Sequence, residues 1–156
     1  MEIEEYNYNN KQEYYIMIKR YNKSKELHTL DVNTLKPQKR IFLVIEKGIL
    51  KKYKIIAYTI INEDLKLIHM VNGISKKYVG DKNTIYITDF MVRILDRKKG
   101  IGKALANYII NQRYGDKNIL LQPQGDGNWF WKKFGFICDN ISEHGTCILR
   151  RNNKNK

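Results

Sequence analysis

One stretch of this sequence is best suited to binding an anion, and it contains two glycines and four basic side chains. The stretch reads Arg97-Lys-Lys-Gly-Ile-Gly-Lys103. Glycine allows the backbone to approach a ligand closely, and the first amides of a helix have no intrahelical acceptor. Such amides bind phosphate groups, and nearby positive charge strengthens the binding. The residues therefore predict a diphosphate site, with an ordinary solvated basic loop as the alternative.

The glycine spacing excludes two common nucleotide-binding motifs. A dinucleotide-binding turn has a third glycine, and a P-loop has Gly-Lys followed by Ser or Thr. In this chain Ala104 follows Lys103. A diphosphate bound here would therefore sit in a different kind of turn.

The segments on either side of the turn have clear patterns. Ile85 to Val92 is rich in β-branched and aromatic residues, which favours a strand. After the turn, one helical face carries Ile101, Leu105, Tyr108, Ile109 and Gln112. Gly115 stands where a left-handed cap would end that helix. The predicted unit is strand, basic turn and helix.

This unit resembles the signature of the GNAT superfamily of acetyl-CoA-dependent N-acetyltransferases. The family pattern is Arg/Gln-x-x-Gly-x-Gly/Ala after a strand that ends in Val, and the stretch from Val92 to Leu105 is similar to it. Downstream, Phe130-Trp-Lys-Lys-Phe-Gly-Phe136 resembles the family's Phe-Tyr-x-Lys-x-Gly-Phe segment. Two motifs in the family's order are more specific than either motif alone.

The resemblance implies acetyl-CoA as co-substrate, with its pantetheine arm between the strands at 85–92 and 118–122. It implies that the end of the first strand donates and accepts backbone hydrogen bonds with the cofactor and that the basic turn holds the pyrophosphate. Trp131 either packs on the pantetheine or fills the core, and core is expected for Trp129, Phe130 and Phe134. The predicted cofactor-binding residues are Met91, Val92, Ile94, Arg97, Lys98, Lys99, Gly100, Ile101, Gly102, Lys103 and Trp131.

The general base is the first catalytic role to assign. Many relatives carry Glu-Asp on the central strand, where this chain has Thr88-Asp89. Asp89 is the nearest carboxylate, and burial at this depth would raise its pKa toward a useful value. A structural Asp bonded to nearby backbone is the alternative. Glu46, Glu63 and a chain of waters remain open as other bases.

The general acid is the second catalytic role. The family's usual acid is the Tyr of the downstream motif, and Trp131 occupies that position. An indole N–H donates a hydrogen bond but is not a proton source near neutral pH. We take Tyr86 as the candidate acid, with Tyr108 and Tyr114 as other phenols.

Composition limits the class of protein. The chain has 156 residues, 42% of them hydrophobic, and a formal charge of +13. One domain is expected, from residue 13 to 151, between a loosely ordered N-terminus at 1–12 and a frayed basic tail at 152–156. The charge suits an acidic protein, and nucleic acid stays possible but is not favoured because no familiar nucleic-acid motif is present.

Metal, membrane and disulfide chemistry are not expected. The three histidines are scattered, and Cys138 and Cys147 form no Cys-x-x-Cys pair, so we predict no metal and reduced thiols. The sequence has no run of eighteen apolar residues and begins with the acidic stretch Met1-Glu-Ile-Glu-Glu5. We therefore expect an intracellular, cytoplasmic protein that does not enter membranes.

The order of the remaining elements predicts the fold class. We expect a first strand at 14–21, a helix from Ser24 to Val32, strands at 40–46 and 54–61, an extension of that meander at 65–71 and a loop at 75–84. A strand at 118–122, a short aromatic helix and strands at 136–138 and 146–150 follow. This order is α+β, with a mixed, mostly antiparallel central sheet of six to seven strands, one β-α-β crossover and flanking helices.

The predicted function is transfer of an acetyl group to a primary amine by direct attack. The segment between the first two strands is shorter than the family's usual helix pair, so the acceptor side is expected to be open. We therefore favour a protein lysine or N-terminus over a small amine. The alternative is a catalytically weak acetyl-CoA-binding module, or a basic interaction module for nucleic acid or protein, on the same fold.

Overall fold

The computed structural model describes residues 1–7, 10–21, 39–48, 53–125, 127–141 and 147–152. Seven strands form a mixed sheet in the order β1-β2-β3-β4-β5-β7-β6. Their bounds are β1 Glu2–Asn7, β2 Lys39–Lys47, β3 Tyr53–Asn62, β4 Thr84–Val92, β5 Asn118–Leu121, β6 Ile137–Ile141 and β7 Cys147–Arg151. The helices are α1 Lys11–Tyr21, α2 Leu65–Asn72, α3 Ile101–Asn107 and α4 Gly127–Lys132.

The chain divides into two compact units, and β4 passes from one into the other. Residues 1–61 and 89–108 form the first unit, and residues 62–88 and 109–156 form the second. In the first unit β1 pairs antiparallel with β2. In the second unit β5 pairs antiparallel with β7, and β7 pairs antiparallel with β6.

The predicted β-α-β crossover is confirmed. The start of β4 pairs parallel with β5, in a register that runs from Thr84 opposite Asn118 to Ile87 opposite Leu121. β4 then continues to Val92, beyond the last residue of β5. The mixed α+β sheet is confirmed with it.

Each unit has a core of its own. In the first unit, side chains from β1, α1, β2 and β3 pack together, and Met91 of β4 packs against them; the cluster is Tyr6, Met17, Ile41, Leu43, Ile45, Ile55, Tyr58 and Ile60. In the second unit the buried cluster is Leu65, Ile68, Ile74, Tyr78, Tyr86 and Leu120.

The sequence-based prediction for the N-terminus is wrong. Residues 1–12 were expected to be loosely ordered, but β1 pairs with β2 along its whole length, from Glu2 opposite Ile45 to Asn7 opposite Arg40. The strand predicted at 14–21 lies within α1. Asn10 begins this helix, since its side chain accepts a hydrogen bond from the Glu13 amide at 3.3 Å. The helix predicted from Ser24 to Val32 and the residues 153–156 of the tail lie outside the described residues.

This correction changes the expectation for the acceptor side. Because the first strand ends at Asn7 and the second begins at Lys39, residues 8–38 separate them, and α1 lies within that segment. The expectation of a shortened segment is therefore wrong. It depended on placing the first strand at 14–21.

The segment at 65–71 is a helix, whereas the sequence predicted a strand. Asp64 caps α2 by accepting a hydrogen bond from the Lys66 amide at 2.9 Å. Gly73, at φ +63°, ends the helix in the left-handed conformation, and its amide donates to the His69 carbonyl at 3.0 Å. Capping at both ends outweighs the β-branched content of the segment. A 3-10 turn at Lys76–Tyr78 then interrupts the predicted loop and buries Tyr78.

The helix after the basic turn changes type along its length. α3 passes into a π-helix at Tyr108–Arg113, where the Tyr114 amide donates to the Ile109 carbonyl at 2.9 Å. The wider turn rotates the face that follows, so Ile110 and Tyr114 are buried while Gln112 is exposed. The inclusion of Gln112 in the buried face is therefore wrong, because that prediction assumed one α-helical period throughout.

Gly115 does not provide the predicted left-handed cap, because it is absent from the described glycines with positive φ. A Cβ atom at this position would lie 2.9 Å from the Asn111 carbonyl oxygen. The close approach of the Asn111 backbone, and not a positive φ, therefore explains why this residue is glycine.

The prediction of reduced thiols is also wrong. Cys138 is disulfide-bonded, and none of the cysteines in the described residues is free. Cys138 lies on β6, which pairs with β7 through a bulge between Cys138 and Asn140. The prediction rested on the absence of a Cys-x-x-Cys pair, and that absence does not exclude a disulfide between more distant residues.

Candidate anion-binding turn and the β4 strand

The end of β4 is fixed by contacts within the first unit. The Arg93 amide donates to the Ile56 carbonyl of β3 at 2.9 Å, and the Thr59 hydroxyl donates to the Asp89 carbonyl at 2.7 Å. Met91 and Val92 are half-buried, whereas Ile94 is exposed. Arg97 Nε donates to the Val92 carbonyl at 3.1 Å. Arg97 therefore ties the strand end to the turn.

Asp96 is a residue of this region that the sequence analysis missed. It is 5% exposed and forms ion pairs with Arg93 and with Lys99, whose Nζ lies 3.0 Å from Asp96 Oδ1. The hydrogen bond from Lys99, helped by the one from Arg93, lowers the pKa of Asp96 although burial opposes the shift. The sequence signal for these ion pairs was a basic residue three positions before Asp96 and another three positions after it.

The backbone of the turn has two residues with positive φ. Lys98 has φ +64° and Gly100 has φ +81°. Gly100 is the N-cap residue of α3, and no side chain caps the helix. A Cβ at Gly100 would meet no atom within 4 Å, so conformation and not space calls for glycine there.

The amides of the turn have no acceptor within the described part of the chain. The first amide after the turn with a backbone acceptor is Ala104, which donates to the Gly100 carbonyl at 2.9 Å, and the preceding one is Arg97, which donates to Ile94. The consecutive N–H groups from Lys98 to Lys103 lie between these two bonds. A run of unpaired N–H groups beside exposed basic side chains fits the oxygens of a diphosphate.

The basic side chains of the turn are not equivalent. Arg97, Lys98, Lys99 and Lys103 are all exposed. Lys99 is paired with Asp96, and Arg97 with the Val92 carbonyl. Lys98 and Lys103 form no ion pair with the described residues, so they carry the positive charge that remains available to an anion.

Asp89 is exposed, so the expectation that it is buried is wrong. The desolvation on which its assignment as a base depended is therefore missing. Its neighbour Thr88 differs, because Thr88 Oγ1 is buried and has no hydrogen-bond partner among the described residues. The alternation along the strand accounts for the contrast between the two residues.

Tyr86 and Trp131 both lie in packed surroundings of the second unit. Tyr86 is 2% exposed within the core cluster of that unit. Trp131 is 6% exposed, and its ring lies 5.0 Å from that of Phe130 and 5.3 Å from that of Phe136. Their roles as acid and as cofactor contact remain predictions.

Trp129 does not belong to this aromatic core, contrary to expectation. It is 58% exposed, and the Lys133 ammonium lies 4.4 Å from the centre of its ring. It lies on the opposite face of α4 from Trp131, two residues away.

The other candidate bases and acids also have defined positions. Tyr114 is buried, and its hydroxyl donates to Glu63 at 3.0 Å. Tyr108 makes an edge contact with Phe42, and Glu46 is exposed. This hydrogen bond joins the residue directly after β3 to the residue directly after the π-helix at Tyr108–Arg113.

The described residues contain no group of three His, Cys, Asp or Glu residues that could hold a metal ion. None of the described helices combines the length and apolarity needed to cross a membrane.

Comparison with known proteins gives matches to solved structures. Tetrahymena GCN5 matches with a TM-score of 0.63 at 12% identity, over 100% of this chain and 98% of that chain. An acyl-CoA N-acyltransferase from Pseudomonas aeruginosa matches with a TM-score of 0.57 at 13% identity, over 97% and 99%. AtaTR bound with AcCoA matches with a TM-score of 0.54 at 10% identity, over 83% and 73%. No protein-family model and no curated protein sequence matches the chain.

Proposed function

Because this chain has the fold of the GNAT superfamily, we propose that it transfers an acetyl group from acetyl-CoA to a primary amine. The observation that carries the proposal is the run of N–H groups from Lys98 to Lys103, directly after β4. In AtaTR, a neighbour in structure, the crystallised complex contains AcCoA.

The turn supports the proposal through its chemistry. The amides from Lys98 to Lys103 would hold the pyrophosphate of coenzyme A, and Lys98 and Lys103 would add charge. Met91, Val92 and Ile94 would offer backbone groups to the pantetheine arm. The Val92 carbonyl already accepts a hydrogen bond from Arg97. The Val92 amide is therefore the better candidate for a hydrogen bond to the pantetheine arm. Trp131 would contact the arm only at its small exposed edge.

The reaction would be direct attack of the amine on the thioester. The chain must orient the two reactants and stabilise the developing oxyanion, while the attacking nitrogen loses a proton. The acceptor is proposed to be an amine on a peptide or protein, because a charge of +13 attracts acidic partners. Asp89 and Tyr86 remain the first candidates for base and acid.

Release of the free thiol from acetyl-CoA tests the proposal. The protein is incubated with acetyl-CoA and with panels of small amines, peptides and proteins. Acceptor-dependent thiol release supports an acetyltransferase. Binding of acetyl-CoA with thiol release at background for every acceptor would instead favour a module that binds acetyl-CoA without catalysis. Absence of binding would contradict the proposed function.

A further inference from the structure

Ile94 and Leu95 form an apolar pair on the 3-10 turn that follows β4. They are 75% and 76% exposed, which are the highest exposures among the large apolar side chains of the described residues. Isoleucine and leucine are usually buried, so these two leave an unusual amount of apolar surface in contact with water. An adjacent apolar pair of this exposure is a candidate contact surface.

Polar contacts on the inner side fix the turn that carries this pair. Asp96 is buried and forms ion pairs with Arg93 and with Lys99, whose Nζ lies 3.0 Å from Asp96 Oδ1. The Asp96 amide donates to the Arg93 carbonyl at 2.8 Å, and the Arg97 amide donates to the Ile94 carbonyl at 3.2 Å. The turn therefore buries its polar side chain and presents its two apolar side chains to solvent.

Positive charge flanks the apolar pair along the chain. The segment from Arg93 to Lys103 contains five basic residues and one acid, a formal charge of +4. Its exposed basic residues are Arg97, Lys98, Lys99 and Lys103. Lys98 and Lys103 form no ion pair with the described residues. The segment therefore combines protruding apolar side chains with positive charge that is not neutralised.

An acidic protein and an anionic lipid surface are the two kinds of partner that match this combination. A peptide or protein partner is usually held in a concave groove, and side chains that are three-quarters exposed do not form the wall of a groove. A fluid lipid interface accepts protruding apolar side chains without a matching shape, while its anionic headgroups attract the neighbouring basic residues. The protrusion and the charge together favour the lipid surface.

We propose that Ile94 and Leu95 insert into an anionic lipid surface while Lys98 and Lys103 contact its headgroups. This inference goes beyond the proposed acetyl transfer. The protein would lie on the membrane and would not span it. The expectation that the protein does not enter membranes depended on the absence of a long apolar run, and docking through one turn needs no such run.

Flotation of the 156-residue chain with lipid vesicles tests the proposal. Vesicles of phosphatidylcholine alone are compared with vesicles that also contain about 30% phosphatidylserine. Each basic residue near an anionic surface contributes roughly fivefold to binding. We therefore expect binding to the anionic vesicles to be at least about tenfold tighter than binding to the neutral ones.

Two double variants test the apolar pair. Ile94→Ser combined with Leu95→Ser keeps the charge and removes the apolar surface, so affinity for the anionic vesicles should fall about tenfold or more. The matched control combines Tyr15→Ser with Ile16→Ser, an adjacent pair on α1 that is 68% and 51% exposed. The control should bind as the wild type does. All four side chains are exposed, so the Tm of both variants should stay close to that of the wild type.

A second pair of variants tests the charge. Lys98→Gln combined with Lys103→Gln should weaken binding to the anionic vesicles by roughly 25-fold, because two unpaired basic residues of the turn are lost. Lys11→Gln combined with Lys19→Gln removes the same charge from the exposed face of α1 and should have a much smaller effect.

The outcomes that contradict the proposal are distinct from one another. Absence of binding to anionic vesicles overturns it. Binding that the variant without Ile94 and Leu95 retains, or equal losses in the two lysine variants, would mean that net charge alone attracts the protein, and this also overturns it. Binding of polyglutamate that depends on the apolar pair, without binding to vesicles, would assign the turn to an acidic protein instead. These assays contain no acetyl-CoA, so none of their outcomes bears on the proposed function.

Discussion

At the scale of single residues, Asp96 connects the end of β4 to the basic turn. Its carboxylate is buried between Arg93 and Lys99, and its amide donates to the Arg93 carbonyl at 2.8 Å. Asp96 therefore links Arg93, before the 3-10 turn at Ile94–Asp96, to Lys99, after that turn. Since Lys99 is paired with Asp96, the proposed attraction of the turn for phosphate would depend on Lys98 and Lys103.

The lowered pKa of Asp96 predicts a pH dependence of stability. A carboxyl whose pKa is lower in the folded than in the unfolded state stabilises the fold above its unfolded pKa, about 3.9. That contribution is lost as the pH falls through the folded pKa. We expect the difference in free energy of unfolding between wild type and Asp96→Asn to be constant above about pH 5 and to shrink below about pH 4.

Denaturant titrations at a series of pH values measure this difference. Asp116→Asn is a suitable control, because Asp116 is exposed and its ion pair with Lys117 is 3.9 Å long. The control should show little change at any pH. A pH-independent difference for Asp96→Asn would contradict the assigned ion pairs.

Gly100 and Gly80 offer a matched pair of backbone substitutions. Both have a positive φ, +81° and +83°, and a Cβ at either would meet nothing within 4 Å. Alanine at each position should cost about 1–2 kcal/mol of stability, because the left-handed conformation disfavours a Cβ. Only Gly100→Ala should also weaken acetyl-CoA binding, by about tenfold or more, since the strain would move the amides of the turn.

Thermal unfolding and calorimetric titration test this pair together. Equal loss of affinity in both variants would indicate a general effect of destabilisation. An unchanged affinity in Gly100→Ala would remove the turn from the binding site.

At the scale of elements, the helix after the turn shows a limit of periodic patterns. Ile101, Leu105 and Ile109 were predicted on the buried face, and all three are buried. After Tyr108 the π-helix changes the rotation per residue, so Gln112 is exposed. A hydrophobic pattern that assumes one period cannot detect such a change, because Ile110 is compatible with either face.

Gly115 lies two residues after the end of the π-helix and can be tested by substitution. Because a Cβ there would lie 2.9 Å from the Asn111 carbonyl oxygen, Gly115→Ala should lower the free energy of unfolding by about 1–3 kcal/mol. In Gly127→Ala, the nearest atom is Pro123 Cβ at 3.6 Å, so the change should be about 0.5 kcal/mol or less. Denaturant unfolding of both variants measures the contrast, and equal stabilities would mean that the close approach to Asn111 relaxes at no cost.

The β-rich elements were predicted more accurately than the capped helices. β2, β3, β4 and β5 agree with their sequence patterns to within one or two residues. α1 and α2 were predicted as strands, because their apolar and aromatic residues favour strands while the caps at Asn10 and Asp64 are single residues. Local propensity is a weak signal that capping and packing override.

At the scale of the whole molecule, the sequence predicted the fold and the basic turn but not the environment of the catalytic candidates. The turn is local in sequence, so its glycines and lysines could be recognised directly. The burial of Thr88 Oγ1, the exposure of Asp89 and the packing of Tyr86 depend on strands that are far apart in the chain. Such distant contacts are what a single sequence does not report.

The overall charge of +13 is consistent with two kinds of partner. This charge raises the rate of encounter with any polyanion, and the effect decreases as salt screens the charge. Binding to the diphosphate of coenzyme A should depend less on salt than binding to an acidic protein or nucleic acid, because the proposed site would hold its anion mainly through uncharged N–H groups.

Calorimetric titration of the protein with acetyl-CoA tests the central claim most directly. If the amides from Lys98 to Lys103 hold the diphosphate, acetyl-CoA binds with one-to-one stoichiometry, free coenzyme A competes with it, and Gly100→Ala weakens both interactions while Gly80→Ala weakens neither. No binding of acetyl-CoA by a folded wild-type protein, or binding that Gly100→Ala leaves unchanged, would contradict the account.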